Sequence, residues 1–189
     1  MAQRYLSVHL THAVFKGLSA DLEDCVPGLA RLWLTAYPVQ LDAAYNESAE
    51  RSRSQRRDEI QVPLSEILAA PDRAAILEGV VERVVRELAY RGPLQWFRFL
   101  DNRVNLGCPD DSQKGTLCEM KAARDTLEHS GGLVGSDYIA KAGLFARYAE
   151  GQIIEIDEPY LLDCFALLRI VVEAMTEAAL RRSSGRSVS

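Results

Sequence analysis

The sequence predicts an all-α fold: a helical bundle of four to five helices, with a small irregular or β-hairpin excursion before the last one.

 Three observations carry that prediction. Apolar residues recur at spacings of three and four over several long stretches. Those stretches stop at Gly, Pro, Asn or Asp clusters. Only two short runs, Leu133-Val134 and 152–156, favour strand. The chain has 189 residues, of which 48% are hydrophobic and 26% charged, which suits one domain over 1–180 with a core that needs no staple.

The elements follow in order. Residues 1–18 have mixed character and give no clear period. Helix is expected over 19–57, with Ser19 as cap and Asp21, Glu23 and Asp24 at the positive end of the dipole. Leu22, Val26, Leu29, Trp33 and Ala36 mark its buried face; Pro27 fits a first turn, and Pro38 breaks the helix near Tyr37. A short helix is expected over 63–70. A stronger one covers 72–90, with Ile76, Leu77, Val80, Val84 and Leu88 as its stripe and Arg91-Gly92-Pro93 as its stop. Trp96, Phe97 and Phe99 in the next segment read as core rather than as a base-stacking platform. The segment 105–115 reads as an exposed loop. Helix resumes over 116–128, with Leu117, Met120, Ala123 and Leu127 on one face and Ser130-Gly131-Gly132 as its end. The two β-prone runs are expected to pair around a partly helical 138–148. The last helix starts at Asp157-Glu158-Pro159 and repeats Leu161, Phe165, Leu168, Val172, Met175 and Ala179, widened by Cys164, Leu167 and Val171. The polar tail 181–189 has no apolar anchor and is expected to be disordered.

Bulk properties narrow the function. A net charge of −5 excludes a uniformly basic nucleic-acid coat but leaves room for a local patch. Cys25, Cys108, Cys118 and Cys164 form no C-x-x-C pair and read as reduced thiols. No leader pattern occurs, and no apolar run reaches the roughly 18 residues needed to cross a bilayer, so a cytoplasmic protein with no membrane partner is expected. Arg51, Arg53, Arg56 and Arg57 form a basic run with two readings, RNA-phosphate contact or a solvated face diluted by Glu47, Glu50, Asp58 and Glu59. His9 and His12 could share a helical face, but they lack the further ligands a metal needs, so no metal and no cofactor is implied.

Phosphate loops, nucleophile elbows, H-E-x-x-H and dinucleotide fingerprints are all absent from the sequence. Chemistry then centres on His129, which closes a helix. The negative end of the dipole favours a charged imidazole there by about 0.3–1 kcal/mol. Asp125, four residues earlier, is placed to accept from the ring and fix its tautomer. Arg124 lies about 140° around the helix from His129, so the two side chains flank a groove. A base for the ribose 2′-OH and a guanidinium for the phosphate are what metal-free RNA cleavage requires. The plain alternative is that Arg124 pairs with Glu128 and His129 serves only the dipole.

The string Glu119-Met120-Lys121-Ala122-Ala123-Arg124-Asp125-Thr126-Leu127-Glu128-His129-Ser130-Gly131-Gly132-Leu133-Val134, followed by Asp137-Tyr138-Ile139, resembles the signature region of HEPN domains of the RiboL-PSP-HEPN type. The lead into the last helix, 151–160, is similar too, and the resemblance spans about 119–180. Relatives often carry Asn after the His, where this chain has Ser130. The resemblance implies a HEPN-like helical bundle, usually a homodimer with the motif helices meeting across the interface. It implies metal-independent endoribonuclease activity on an RNA substrate, with Arg124, Asp125 and His129 as catalytic residues, in antiviral defence or toxin–antitoxin systems. It equally admits inactive members that serve as interaction or dimerisation modules for a protein partner or antitoxin.

Overall fold

The computed structural model describes residues 2–41 and 63–186, and among them the chain is all helical, with seven α-helices and no strand. They are α1 (Ala2–Ala36), α2 (Leu64–Ala69), α3 (Arg73–Ala89), α4 (Pro93–Val104), α5 (Asp111–His129), α6 (Ser136–Ala142) and α7 (Glu158–Arg186). A 3-10 turn, Gly143–Phe145, follows α6. Five of the seven are long, so the expected bundle of four to five helices stands, with α2 and α6 as short additions. No helix among the described residues is long and apolar enough to cross a membrane.

The first helix begins well before Ser19. Its buried stripe runs Phe15, Ser19, Leu22, Val26, Ala30 and Trp33, so the period continues upstream through residues whose composition hides it. Ser19 is not a cap: its hydroxyl donates to the Phe15 carbonyl at 3.1 Å, the back-bonding typical of a Ser inside a helix. Pro27 sits inside the helix rather than in a first turn. Its missing N–H removes one helical bond, and the buried neighbours Val26 and Ala30 offset that loss. The helix ends at Ala36, one residue before Tyr37, as the position of Pro38 requires.

Helix α1 packs along α3 and also reaches α4, α5 and α7. Asp72 caps α3 by accepting from the Ala75 N–H at 2.9 Å, and Val80, Val81, Val84, Val85 and Leu88 bury its inner face. Gly92 and Pro93 open α4, where Trp96, Phe97 and Leu100 are fully buried; the Trp96 indole donates to the Leu88 carbonyl at 2.8 Å. The aromatic cluster is therefore core. Asn105, at φ 56°, ends α4 in the left-handed region that Asn tolerates. The expected loop over 105–115 is shorter than read: Asp110 and Gln113 form a capping box, and α5 starts at Asp111.

The excursion before α7 contains one isolated antiparallel bridge, Leu133 to Ile153, instead of a hairpin ladder. Val134 N–H donates to Gln152 and Gly151 N–H to Val134, each at 2.9 Å, and the chain between them folds as α6 and the 3-10 turn. The turn seats on α5 at Gly115, where a Cβ would stand 2.1 Å from the Phe145 ring.

Helix α7 buries Tyr160, Cys164, Leu168, Val171, Met175 and Ala178, a stripe rotated from the expected one; Phe165 faces outward. Helix also continues to Arg186, through most of the tail expected to be disordered. Arg181 pairs with Glu177 at 3.2 Å, and the hydroxyls of Ser183 and Ser184 donate to the Leu180 carbonyl, so local polar bonds extend the helix without an apolar anchor.

Candidate functional site

Helix α5 carries two different faces, and the candidate site lies where they end. Its inner face buries Leu117, Met120, Ala122, Ala123 and Thr126. Its flank toward α1 carries Lys121, Arg124, Asp125 and Glu128. The last turn closes at Ser130, whose N–H donates to the Thr126 carbonyl at 2.9 Å, and Gly132 N–H donates to the same oxygen at 3.1 Å. Gly131 (φ 60°) and Gly132 (φ 89°) make this reversal at no steric cost, so the chain turns sharply beside His129.

An ion-pair network fixes the flank. Glu23 of α1 accepts from Lys121 at 2.8 Å and lies 3.9 Å from Arg124. Lys16, two turns nearer the N-terminus, pairs with Glu128 at 2.8 Å. These contacts run α1 and α5 antiparallel along a polar seam. They also answer the simple pairing expected for Arg124: Glu128 belongs to Lys16, and the Arg124 guanidinium binds Asp125 at 3.1 Å. The Arg124 Nε is buried and has no hydrogen-bond partner among the described residues.

Asp125 does not orient His129 as its spacing suggests. Its Oδ1 accepts from Arg124 at 3.1 Å and Lys121 at 3.4 Å, and its Oδ2 from Lys141 of α6 at 3.1 Å. Burial works to raise the carboxyl's pKa, but Lys121, Lys141 and Arg124 outweigh it and hold the group below its ordinary value. Three cations win because each offers a charge-assisted bond, whereas a ring at the helix end offers one. His129 is exposed, and no hydrogen bond or ion pair joins it to another described residue. Arg124 and His129 thus share a helix end, one held by acids and the other exposed beside Glu128.

A second polar cluster lies inside the protein and was not expected. Glu119, one of the most buried side chains at 1% exposure, accepts from Tyr138 Oη of α6 at 2.7 Å and Tyr160 Oη of α7 at 2.6 Å. Tyr138 Oη in turn accepts from the Arg147 N–H at 3.0 Å, and the Arg147 guanidinium stacks 3.4 Å from the Tyr160 ring centre. Burial raises the Glu119 pKa, opposed by the two phenols and Arg147. Burial first, and Glu119 second, push both phenols well above their ordinary range, so they remain donors. The Cys164 thiol is pushed up to about 11 by burial, which makes it a packing group rather than a nucleophile. A signal for this cluster does exist in the sequence: Glu119 is in phase with Ala122, Ala123 and Thr126 on the buried stripe of α5.

The other candidates are separate. Arg51, Arg53, Arg56 and Arg57 lie outside the described residues. His9 is exposed and His12 half-buried, and no group of three or more His, Cys, Asp or Glu among the described residues is placed to hold a metal. All four cysteines are free thiols.

Compared with protein-family models, with curated proteins and with solved structures, the chain finds no match.

Proposed function

We propose that the chain is a metal-independent endoribonuclease of the HEPN type, acting as a homodimer in a prokaryotic defence or toxin–antitoxin setting. The observation that supports it is the shared helix end: a guanidinium held by Asp125 and Glu23, its Nε buried without a hydrogen-bond partner among the described residues, and an exposed imidazole five residues on. The string 119–139 and its resemblance add to that support.

In this reading, Arg124 holds the scissile phosphate and stabilises the charge that gathers on it. His129 takes the proton from the ribose 2′-OH. The 2′-oxygen then attacks phosphorus, the bond to the 5′-oxygen breaks, and that oxygen receives a proton. The products are a 2′,3′-cyclic phosphate and a 5′-hydroxyl. Asp125 serves as a positioning residue for Arg124 instead of touching His129. Homodimerisation would bring two such helix ends to one cleft.

The test is RNA cleavage by purified protein in EDTA. His129→Ala should lower the rate about 10²–10⁴-fold, the usual contribution of a general acid–base group. Its stability should stay within about 0.5 kcal/mol of wild type, because the side chain is exposed and unbonded. Cleavage that survives both EDTA and this substitution removes His129 from the mechanism.

A second reading has its own observation. Helix α7 exposes Leu162, Phe165 and Ile170, an apolar face that suits an inactive HEPN-like interaction module in a larger complex. Light scattering and co-purification with a stable partner, together with no effect on RNA, would favour it.

A further inference from the structure

We infer, building on the reading of Arg124 and His129 as an RNA-cleaving pair, that Lys141 holds the phosphate next to the one on Arg124, so that the substrate is a strand with at least two consecutive phosphodiesters. Lys141 and Arg124 bind opposite oxygens of the Asp125 carboxylate, each at 3.1 Å. The two cations therefore stand on either side of one acid.

Layering decides which group an incoming anion meets. Asp125 is the inner partner, with a side chain 17% exposed, whereas Lys141 is 54% exposed and Arg124 24%. The cationic atoms form the outer surface and the carboxylate lies beneath them. The charges do not cancel: Lys121, Arg124 and Lys141 face Asp125 and Glu23, three positive against two negative, which leaves one positive charge in a chain of net −5. A half-exposed Lys–Asp pair adds little to stability, so a third cation around one carboxylate needs another reason. A phosphate supplies it.

The placement of Lys141 is not left to a mobile side chain on a loop. Tyr138, one turn earlier on α6, is pinned to the buried Glu119 at 2.7 Å, and that contact sets where α6, and Lys141 with it, lies against α5. A dinucleoside monophosphate can engage Arg124 alone. A trinucleotide with two phosphodiesters can engage both cations.

The experiment has two arms. In the first, binding of a fluorescent single-stranded RNA is titrated against salt in the His129→Ala background, with and without Lys141→Ala. Losing one phosphate contact should reduce the slope of log K against log salt by about 0.7. In the second, wild type and Lys141→Ala cleave a dinucleoside monophosphate and a trinucleotide. The kcat/KM preference for the trinucleotide should fall about tenfold, carried by KM, the size of one charge-assisted bond. Lys141→Arg should restore most of it, and Arg181→Ala, an exposed cation paired with Glu177, should change neither arm. An unchanged slope with an unchanged preference overturns the inference while leaving the nuclease intact. Equal losses on both substrates also overturn it, since they mark a structural role. A wild type that cuts no RNA but keeps the Lys141-dependent slope removes the nuclease reading and retains the phosphate contact.

Discussion

Replacing Glu119 with Ala tests the interior cluster directly. The carboxylate is 1% exposed and accepts two phenol protons at 2.7 and 2.6 Å. Truncation strands both donors, and each buried polar group left unpaired costs about 1–3 kcal/mol. Relief from desolvating a carboxylate works in the opposite direction. The expected net loss is about 2–4 kcal/mol, read as a lower urea midpoint at unchanged slope. Tyr138→Phe, which removes one donor, should lose about 1–2 kcal/mol. The pH dependence carries a definite sign. Burial raises the folded pKa of Glu119 above its unfolded value, so the folded state holds the proton more tightly. Its contribution is then greatest below the unfolded Glu range, about pH 4.3, and declines as pH rises through the raised folded value. In the Glu119→Gln variant that decline is gone, so wild-type stability relative to the variant should fall with rising pH. A relative stability that climbs over the same window, or an Ala variant as stable as wild type, would refute the assignment of Glu119 as a buried acceptor.

Asp125 has the opposite sign. Its folded pKa is depressed, so its contribution is present above the unfolded Asp range and lost as pH falls through the folded value; Asp125→Asn should remove about 1–2 kcal/mol at neutral pH and flatten the acid side of the stability profile. Gly115→Ala places a Cβ 2.1 Å from the Phe145 ring, which is itself 38% exposed and able to swing away. A net loss of about 1 kcal/mol is expected, overpacking less the gain in helix propensity, with faster amide exchange over 136–156 and recovery in the Gly115→Ala/Phe145→Ala double variant.

Most helices were legible because a sided stripe and a stop coincide. Asp72 opens α3 and Gly92-Pro93 separate it from α4, as their chemistry requires. Where one of the two signals is missing, the helix boundary or its face is not legible. The sequence offers no Ser, Thr, Asp or Asn at positions 1–3 and a mixed face after them, so Ser19 reads as a start. In α7, apolar residues occupy so many positions that they do not choose a side. The polar residues do: Asp163, Arg169, Glu173 and Glu177 lie opposite Cys164, Val171 and Met175, which leaves Leu162, Phe165 and Ile170 outside.

The site shows a sharper limit of spacing arguments. Arg124 and His129 were placed correctly at a helix end because both belong to one element. Spacing along one helix cannot register Lys141, which reaches Asp125 from α6, or Glu23, which reaches Lys121 and Arg124 from α1. The same helix α6 explains why the two clusters are not independent. Tyr138 grips Glu119 in the interior while Lys141 grips Asp125 at the surface, six residues further along α5. A short helix tied to both acids links the core to the cations around Arg124. The buried carboxylate, costly in itself, thereby sets the geometry of the half-buried one.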